Sequence, residues 1–190
     1  MEYDYKTTPY QHQDDVLKAS WDKVNWAFFM EMGTGKSKVC IDTASILYER
    51  GEIDTFIVVA PKGVYRNWAN LEIPAHMPDR VREGALLSLW RPNPTKALKQ
   101  ELLSFMAPAT GFRMLMMNVE ALSTAKGQKF LTSVLKSSRA LLTIDESTAI
   151  KSPKASRTKA LIKIASLAAY RRILTGFPVT QSPMDLWAQC

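Results

Sequence analysis

Apolar runs and helical spacings alternate along this chain. The run "NWAFFM" (25–30) is short and leads into a glycine-containing turn. "KSKVCIDTASILYER" (36–50) carries Val39, Ile46 and Leu47 at helical spacing, and Gly51 can end that helix. "DTFIVVAP" (54–61) is continuously apolar until it stops at Pro61. "ALLSLW" (85–90), "FRMLMMN" (112–118), "RALLTIDE" (139–146) and "RRILTG" (171–176) predict further strands. Helical patterns over 94–106, 127–138 and 152–170 fall between them. Pro94 lies near the first of these starts, and Ser152 with Pro153 can open the last. Strands that are apolar throughout and separated by helices predict an α/β fold. Its sheet is mainly parallel and covered by helices on both faces. The stretch 71–112 carries five of the ten prolines and is the least regular part.

Composition narrows the class without deciding it. The 190 residues suffice for one domain with a core, and 46% hydrophobic with 23% charged residues is ordinary for a globular chain. The start "MEYDYKTTPY" lacks the basic and apolar regions of a signal peptide, and no apolar stretch is long enough to span a membrane. The expected location is intracellular: cytoplasmic, or nuclear in a eukaryote. Cys40 and Cys190 are the only cysteines, so neither a disulfide framework nor a structural zinc site is expected. A net charge of +7 makes an anionic partner plausible.

The chemistry centres on "FFMEMGTGKSKV" (28–39). A strand, a glycine turn and a helix N-terminus are what a phosphate needs, because the helix end offers free N–H groups and partial positive charge. Gly33 and Gly35 would let the backbone approach closely, Lys36 would reach the β- and γ-phosphates, and the Ser37 hydroxyl would bind Mg²⁺. The strict pattern G-x-x-x-x-G-K-[ST] puts its first glycine at position 30, which is Met30 here. A second half-site is needed for Mg²⁺ and for the attacking water. "LLTIDE" supplies it: Asp145 would hold the metal, and Glu146 would polarise water, at the C-terminal end of a strand where ligands bind in open α/β sheets.

Several stretches, in order, resemble motifs of the helicase-superfamily-two ATPases, and most closely the Swi/Snf-type translocases. "FMEMGTGKS" is similar to that family's "DEMGLGKT", in which the first glycine is also absent. "VVAPKGVYRNWANL" (58–71) resembles motif Ia, "MMNVEAL" (116–122) motif Ib, "TIDESTAIKS" (143–152) motif II, and "RRILTGFPVTQSPMDLWAQ" (171–189) motif III. "PYQHQDDVL" (9–17) resembles the adenine-binding Q motif, with Gln13 fitting best by register and Gln11 as the alternative. The resemblance implies a single RecA-like ATP-binding lobe over 1–190, the first lobe of a two-lobed motor whose second lobe lies outside this chain. It implies ATP and Mg²⁺ as cofactors. Gln13, Met32, Gly33, Thr34, Gly35, Lys36, Ser37 and Lys38 would contact the nucleotide; Thr175 and Gly176 would couple its state to movement. Ser147 and Thr148 depart from the family's motif II, and Phe177 and Gln181 from its motif III. An arginine finger from the second lobe contributes orders of magnitude to phosphoryl transfer, so the chain alone is expected to bind ATP weakly and turn it over very slowly.

Between Ser147 and Pro183 stand seven Lys or Arg (151, 154, 157, 159, 163, 171, 172) and no acid. Such a patch favours phosphate backbones, although a solvated helix face reads the same way. By resemblance, Lys62, Arg66, Asn67, Asn118 and Lys151 are the expected nucleic-acid contacts, with Glu120 beside them, and duplex DNA is the expected partner. Trp68 is expected in the core, on one helical face with Val64 and Leu71, and the methionines of "MLMM" likewise. The remaining readings are an RNA or single-strand helicase lobe, and a non-catalytic half-motor that binds nucleic acid or a partner protein. A small-molecule P-loop kinase would leave the motif III resemblance unexplained.

Overall fold

The computed structural model describes residues 3–106, 111–146 and 156–176. Six strands form one parallel sheet in the order β1-β6-β5-β2-β4-β3. They are β1 (Asn25–Phe29), β2 (Thr55–Ala60), β3 (Leu86–Leu89), β4 (Arg113–Asn118), β5 (Ala140–Asp145) and β6 (Tyr170–Thr175). Each coincides with a predicted apolar run. Parallel pairing requires a crossover after every strand, and the helical segments supply these.

The sheet is covered on both faces, which is why its central strands are apolar at every position. Along β2, Phe56, Val58 and Ala60 pack into one core while Ile57 and Val59 pack into the other. Along β4, Met114 and Met116 divide from Leu115 and Met117 in the same way. The first core lies under α1 (Gln11–Ser20), α2 (Lys36–Glu49) and the short pieces α3 (Tyr65–Asn67), α4 (Ile73–His76) and α5 (Asp79–Arg82). The second lies under α6 (Lys96–Ser104), α7 (Ala125–Lys136) and α8 (Ser156–Ala165). Two helix starts are set by side-chain caps: the Thr95 hydroxyl accepts from the Leu98 N–H, and the Thr124 hydroxyl from the Gly127 N–H.

The structure departs from the sequence reading in four places. The first is α1, which no apolar run announced; only Leu17 is a buried large aliphatic there. The second is α8, which ends at Ala165 rather than 170, because Tyr170 already pairs with Leu141. The third is the segment after Pro61, where Trp68–Glu72 forms a π-helical turn. Its wider spacing separates residues that an α-helix would align. Leu71, expected beside Trp68 in the core, is 62% exposed, while Trp68 is 1% exposed. The fourth is the basic patch. Arg172 is buried and donates to the carbonyls of Ser20 and Trp21, and Arg171 donates to the Asn25 carboxamide at the start of β1. Both therefore lie toward the N-terminal edge of the sheet. Lys159 and Lys163 of α8 are exposed as expected. Lys151, Lys154, Ser147, Thr148, Phe177 and Gln181 lie outside the described residues, as does the side chain of Arg157.

Candidate nucleotide site at the C-terminal edge of the sheet

In a parallel sheet every strand ends on the same edge, so residues far apart in sequence meet there. The register brings Phe29 opposite Thr175 and Leu174 opposite Asp145. The glycine loop, the Thr175–Gly176 pair and the acidic pair are thus held on three adjacent strands. A Cβ on Gly176 would lie 3.3 Å from Met32 Cγ and 3.5 Å from the Met30 carbonyl oxygen. The end of β6 therefore lies against the glycine loop, and Thr175 is fully buried beneath it.

The loop has the backbone that its glycines permit. Gly33 and Gly35 have φ of 77° and 87°, and Gly35 is the residue before the first turn of α2. Gly35 has a second reason to lack a side chain: a Cβ there would sit 2.2 Å from Gln13 Nε2. Gln13 is 6% exposed and donates to the Thr34 carbonyl at 2.9 Å, and its Oε1 accepts from the Tyr10 N–H at 3.0 Å. Gln11 is exposed and donates to Asp15. Of the two glutamines, Gln13 is the one packed on the loop. Lys36 Nζ donates to the carbonyls of Met30 and Glu31, each at 2.8 Å. Ser37 follows it on the first turn, half-buried, while Met32 is exposed and Thr34 partly so. The Lys38 side chain does not face this site. It is buried, and its ammonium donates to Asp42 at 2.6 Å and lies over the Tyr5 ring. Only its backbone can serve a phosphate.

Two carboxylates occupy the opposite wall. Asp145 accepts from the Trp68 indole N–H at 2.8 Å and from the Glu146 N–H at 2.9 Å. Burial pushes its carboxyl above the ordinary value, with the two hydrogen bonds and the Lys36 charge opposing. Glu146 is raised by burial and by Asp145, and its φ of 48° is in the left-handed region. That conformation costs a residue with a side chain about 1 kcal/mol, and such strain concentrates where a side chain must be aimed.

Two neighbours of this wall were missed or misread from sequence. Trp68 is core, as expected, but its indole N–H also fixes Asp145. Glu72, four residues on along the π-helical turn, is half-buried, and its carboxyl is raised by burial and by the Asp145 charge, with the Ser37 hydroxyl opposing. The available signal was an acid one turn beyond Trp68, but the spacing of a π-turn is not visible in a helical periodicity.

The expected nucleic-acid contacts lie farther along the same edge. Lys62, Arg66 and Asn67 follow β2 and are exposed. Asn118 ends β4 opposite Ala60, and its carboxamide donates to the exposed Glu120 at 3.0 Å. The two segments are therefore neighbours.

The raised carboxyl of Asp145 has a consequence for stability. A carboxyl whose pKa is higher folded than unfolded favours the protonated form in the fold. Its cost is present at neutral pH and disappears as pH falls through the folded value. Asp145→Asn is expected to raise the melting temperature of the nucleotide-free chain at pH 7, and the advantage should shrink toward pH 4. Thermal melts of both proteins across that range check this; a lower melting temperature at pH 7 would mean that the two hydrogen bonds outweigh burial.

The SNF2-related domain family matches residues 12–189. The chain belongs to that family. The curated relatives it resembles include the chromatin-remodeling ATPase INO80 of Eremothecium gossypii, 30% identical over 177 residues, and that of Saccharomyces cerevisiae, 28% identical over the same length. Each alignment covers 87% of this chain but only 11% of the relative. Among solved structures, the fold matches a Sulfolobus solfataricus SWI2/SNF2 ATPase core in complex with dsDNA, with TM-score 0.70 and 18% identity, over 99% of this chain and 36% of that one. It also matches the UvsW helicase from bacteriophage T4, with TM-score 0.65 and 11% identity, over 96% and 57%. The SNF2-related chain is thus RecA-like in fold. No helix among its described residues is long and apolar enough to cross a membrane.

Proposed function

We propose that this SNF2-related chain, over 1–190, is the first, ATP-binding lobe of a DNA-dependent ATPase that moves on duplex DNA when joined to a second RecA-like lobe. The observation that carries this is the convergence of the glycine loop, Thr175–Gly176 and Asp145–Glu146 on three adjacent strand ends. A structural turn would not need a buried Asp held by an indole N–H, a strained Glu and a lysine on one small surface.

The residues fit Mg-ATP. The free N–H groups at the start of α2 and the Lys36 ammonium bind the phosphates. Ser37 and Asp145 are the residues that would hold Mg²⁺, and Asp145 is in no ion pair with a described residue that would compete. Bound there, a metal would supply charge neutralisation to the phosphates. Glu146 orients the attacking water and takes its proton as the oxygen bonds to the γ-phosphorus and the bond to ADP breaks. Its raised carboxyl suits it to receive that proton. Gln13 carries the adenine contact to the loop through Thr34, and Thr175 with Gly176 senses the γ-phosphate through the loop they touch. The duplex-DNA assignment rests on the dsDNA-bound Sulfolobus relative and on Lys62, Arg66, Asn67 and Asn118 at the same edge.

The test is ATP hydrolysis by the chain, alone and with a second SNF2-type lobe supplied in trans or by fusion, with duplex DNA, single-stranded DNA or RNA added. Stimulation by duplex DNA that requires the second lobe is expected. Stimulation by RNA alone would favour a helicase of another branch. Absence of any ATP binding would leave a non-catalytic binding module.

A further inference from the structure

At the far end of the sheet from the glycine loop, the structure contains an open cavity of about 600 Å³ between the β3–α6 connection and α7. Trp90, Leu102, Leu103, Met106 and Phe130 give it an apolar lining. Trp90 and Leu102 are buried at its base, whereas Leu103 is 48% exposed on the rim. The charged residues around it are Arg91, Lys99, Lys126 and Lys129, and no acid among the described residues lines it. All four are exposed, and none forms an ion pair with a described residue. Some surface cations elsewhere are matched, as Lys6 and Arg82 are by Asp79 and Arg139 by Glu52, and others such as Lys96 and Lys136 are not matched by a described residue; what sets these four apart is that they ring an apolar cavity.

We propose that this cavity is a docking site for a short acidic segment of another protein, which seats a leucine-sized side chain on Trp90 and Leu103 and sets its carboxylates against the four cations. Charge complementarity selects an anionic partner. The apolar base separates it from a nucleic-acid backbone, whose phosphates would be satisfied by the cations alone and would leave the cavity empty. The open mouth separates it from a small-molecule pocket, which encloses most of its ligand. An apolar core with a polar, solvent-accessible rim is the usual anatomy of a protein interface. β3 and β1 are opposite edges of the sheet, so occupation here leaves the nucleotide site open.

The probe is a short fluorescein-labelled peptide of glutamates and leucines, titrated by fluorescence anisotropy against the whole chain. The same peptide with every leucine replaced by serine, and a labelled DNA duplex, are titrated in parallel. Saturable binding of the leucine peptide is expected, weakened roughly tenfold or more by Lys99→Glu with Lys129→Glu. Leu103→Ser should weaken it to a similar degree. Both sites of substitution are exposed, so the fold should survive, and unchanged thermal melts would show it. The proposal is overturned if the serine peptide binds as well as the leucine peptide, or if binding ignores these variants. It is also overturned if only the duplex loses affinity in the charge-reversed chain, which would make the rim part of a DNA surface. Failure of the leucine peptide to bind up to about 1 mM, the weak limit of specific recognition, overturns it as well.

Discussion

Lys36→Ala is expected to weaken Mg-ATP binding by roughly 10–10²-fold, the equivalent of the about 1.5–3 kcal/mol that a hydrogen bond to a charged group contributes. Lys36 is held by two neutral carbonyls, Met30 and Glu31, and by no carboxylate of a described residue. A phosphate can therefore recruit it without breaking an ion pair. Its charge opposes the burial that raises the carboxyls of Asp145 and Glu146, so the ammonium is within electrostatic reach of the acidic pair. Alanine leaves the helix N-terminus in place, and its N–H groups alone account for the residual affinity. A fluorescent ATP analogue titrated against both proteins with Mg²⁺ measures the difference. Equal affinity in the two would remove the phosphate site and, with it, the proposed function. It would leave the peptide-docking proposal untouched, because that cavity is on the other edge of the sheet.

The second large effect is on folding. Arg172→Met is expected to destabilise the chain by about 2–5 kcal/mol, as loss of a buried charged donor does, against a total of about 5–15 kcal/mol for a domain. The guanidinium is 1% exposed. It donates to Ser20 at 2.9 Å and Trp21 at 3.3 Å, the last carbonyls of α1, and to Arg171 at 2.8 Å and Val24 at 3.4 Å. A helix end leaves carbonyls without partners and carries partial negative charge, so a cation there satisfies both. Methionine keeps much of the volume but removes all four donations; the Ser20 and Val24 carbonyls then keep only the backbone N–H groups of Lys23 and Arg171. Burial already pushes the Arg172 guanidinium below its ordinary value, which shows how little solvent is available to replace the lost bonds. Urea denaturation should show a lower midpoint, while duplex-DNA affinity of the folded chain should not change. The reverse result, unchanged stability with weakened DNA binding, would return Arg172 to the nucleic-acid surface.

Much of this was legible in the chain itself. All six strands and α2, α6 and α7 could be read, because strands buried on both faces must be apolar at every position and crossover helices must be periodic. The glycine loop and the acidic pair were legible too, since backbone conformation and charge at a strand end are local requirements that a few residue types satisfy. Tertiary structure decided the rest. Gln13 rather than Gln11 packs on the loop because Gly35 leaves room for its amide. Lys38 turns away because Asp42, one helical turn on, is buried with it. Trp68 became an anchor for Asp145, and Glu72 joined the site, because a π-turn replaced the expected helical face. Arg172 left the basic patch because the end of α1 lies against the start of β6. In each case the sequence determined what a residue could do, through its conformational freedom, charge and apolar area. Which partner it met depended on the register and packing of elements distant in sequence, and periodicity carries no record of that.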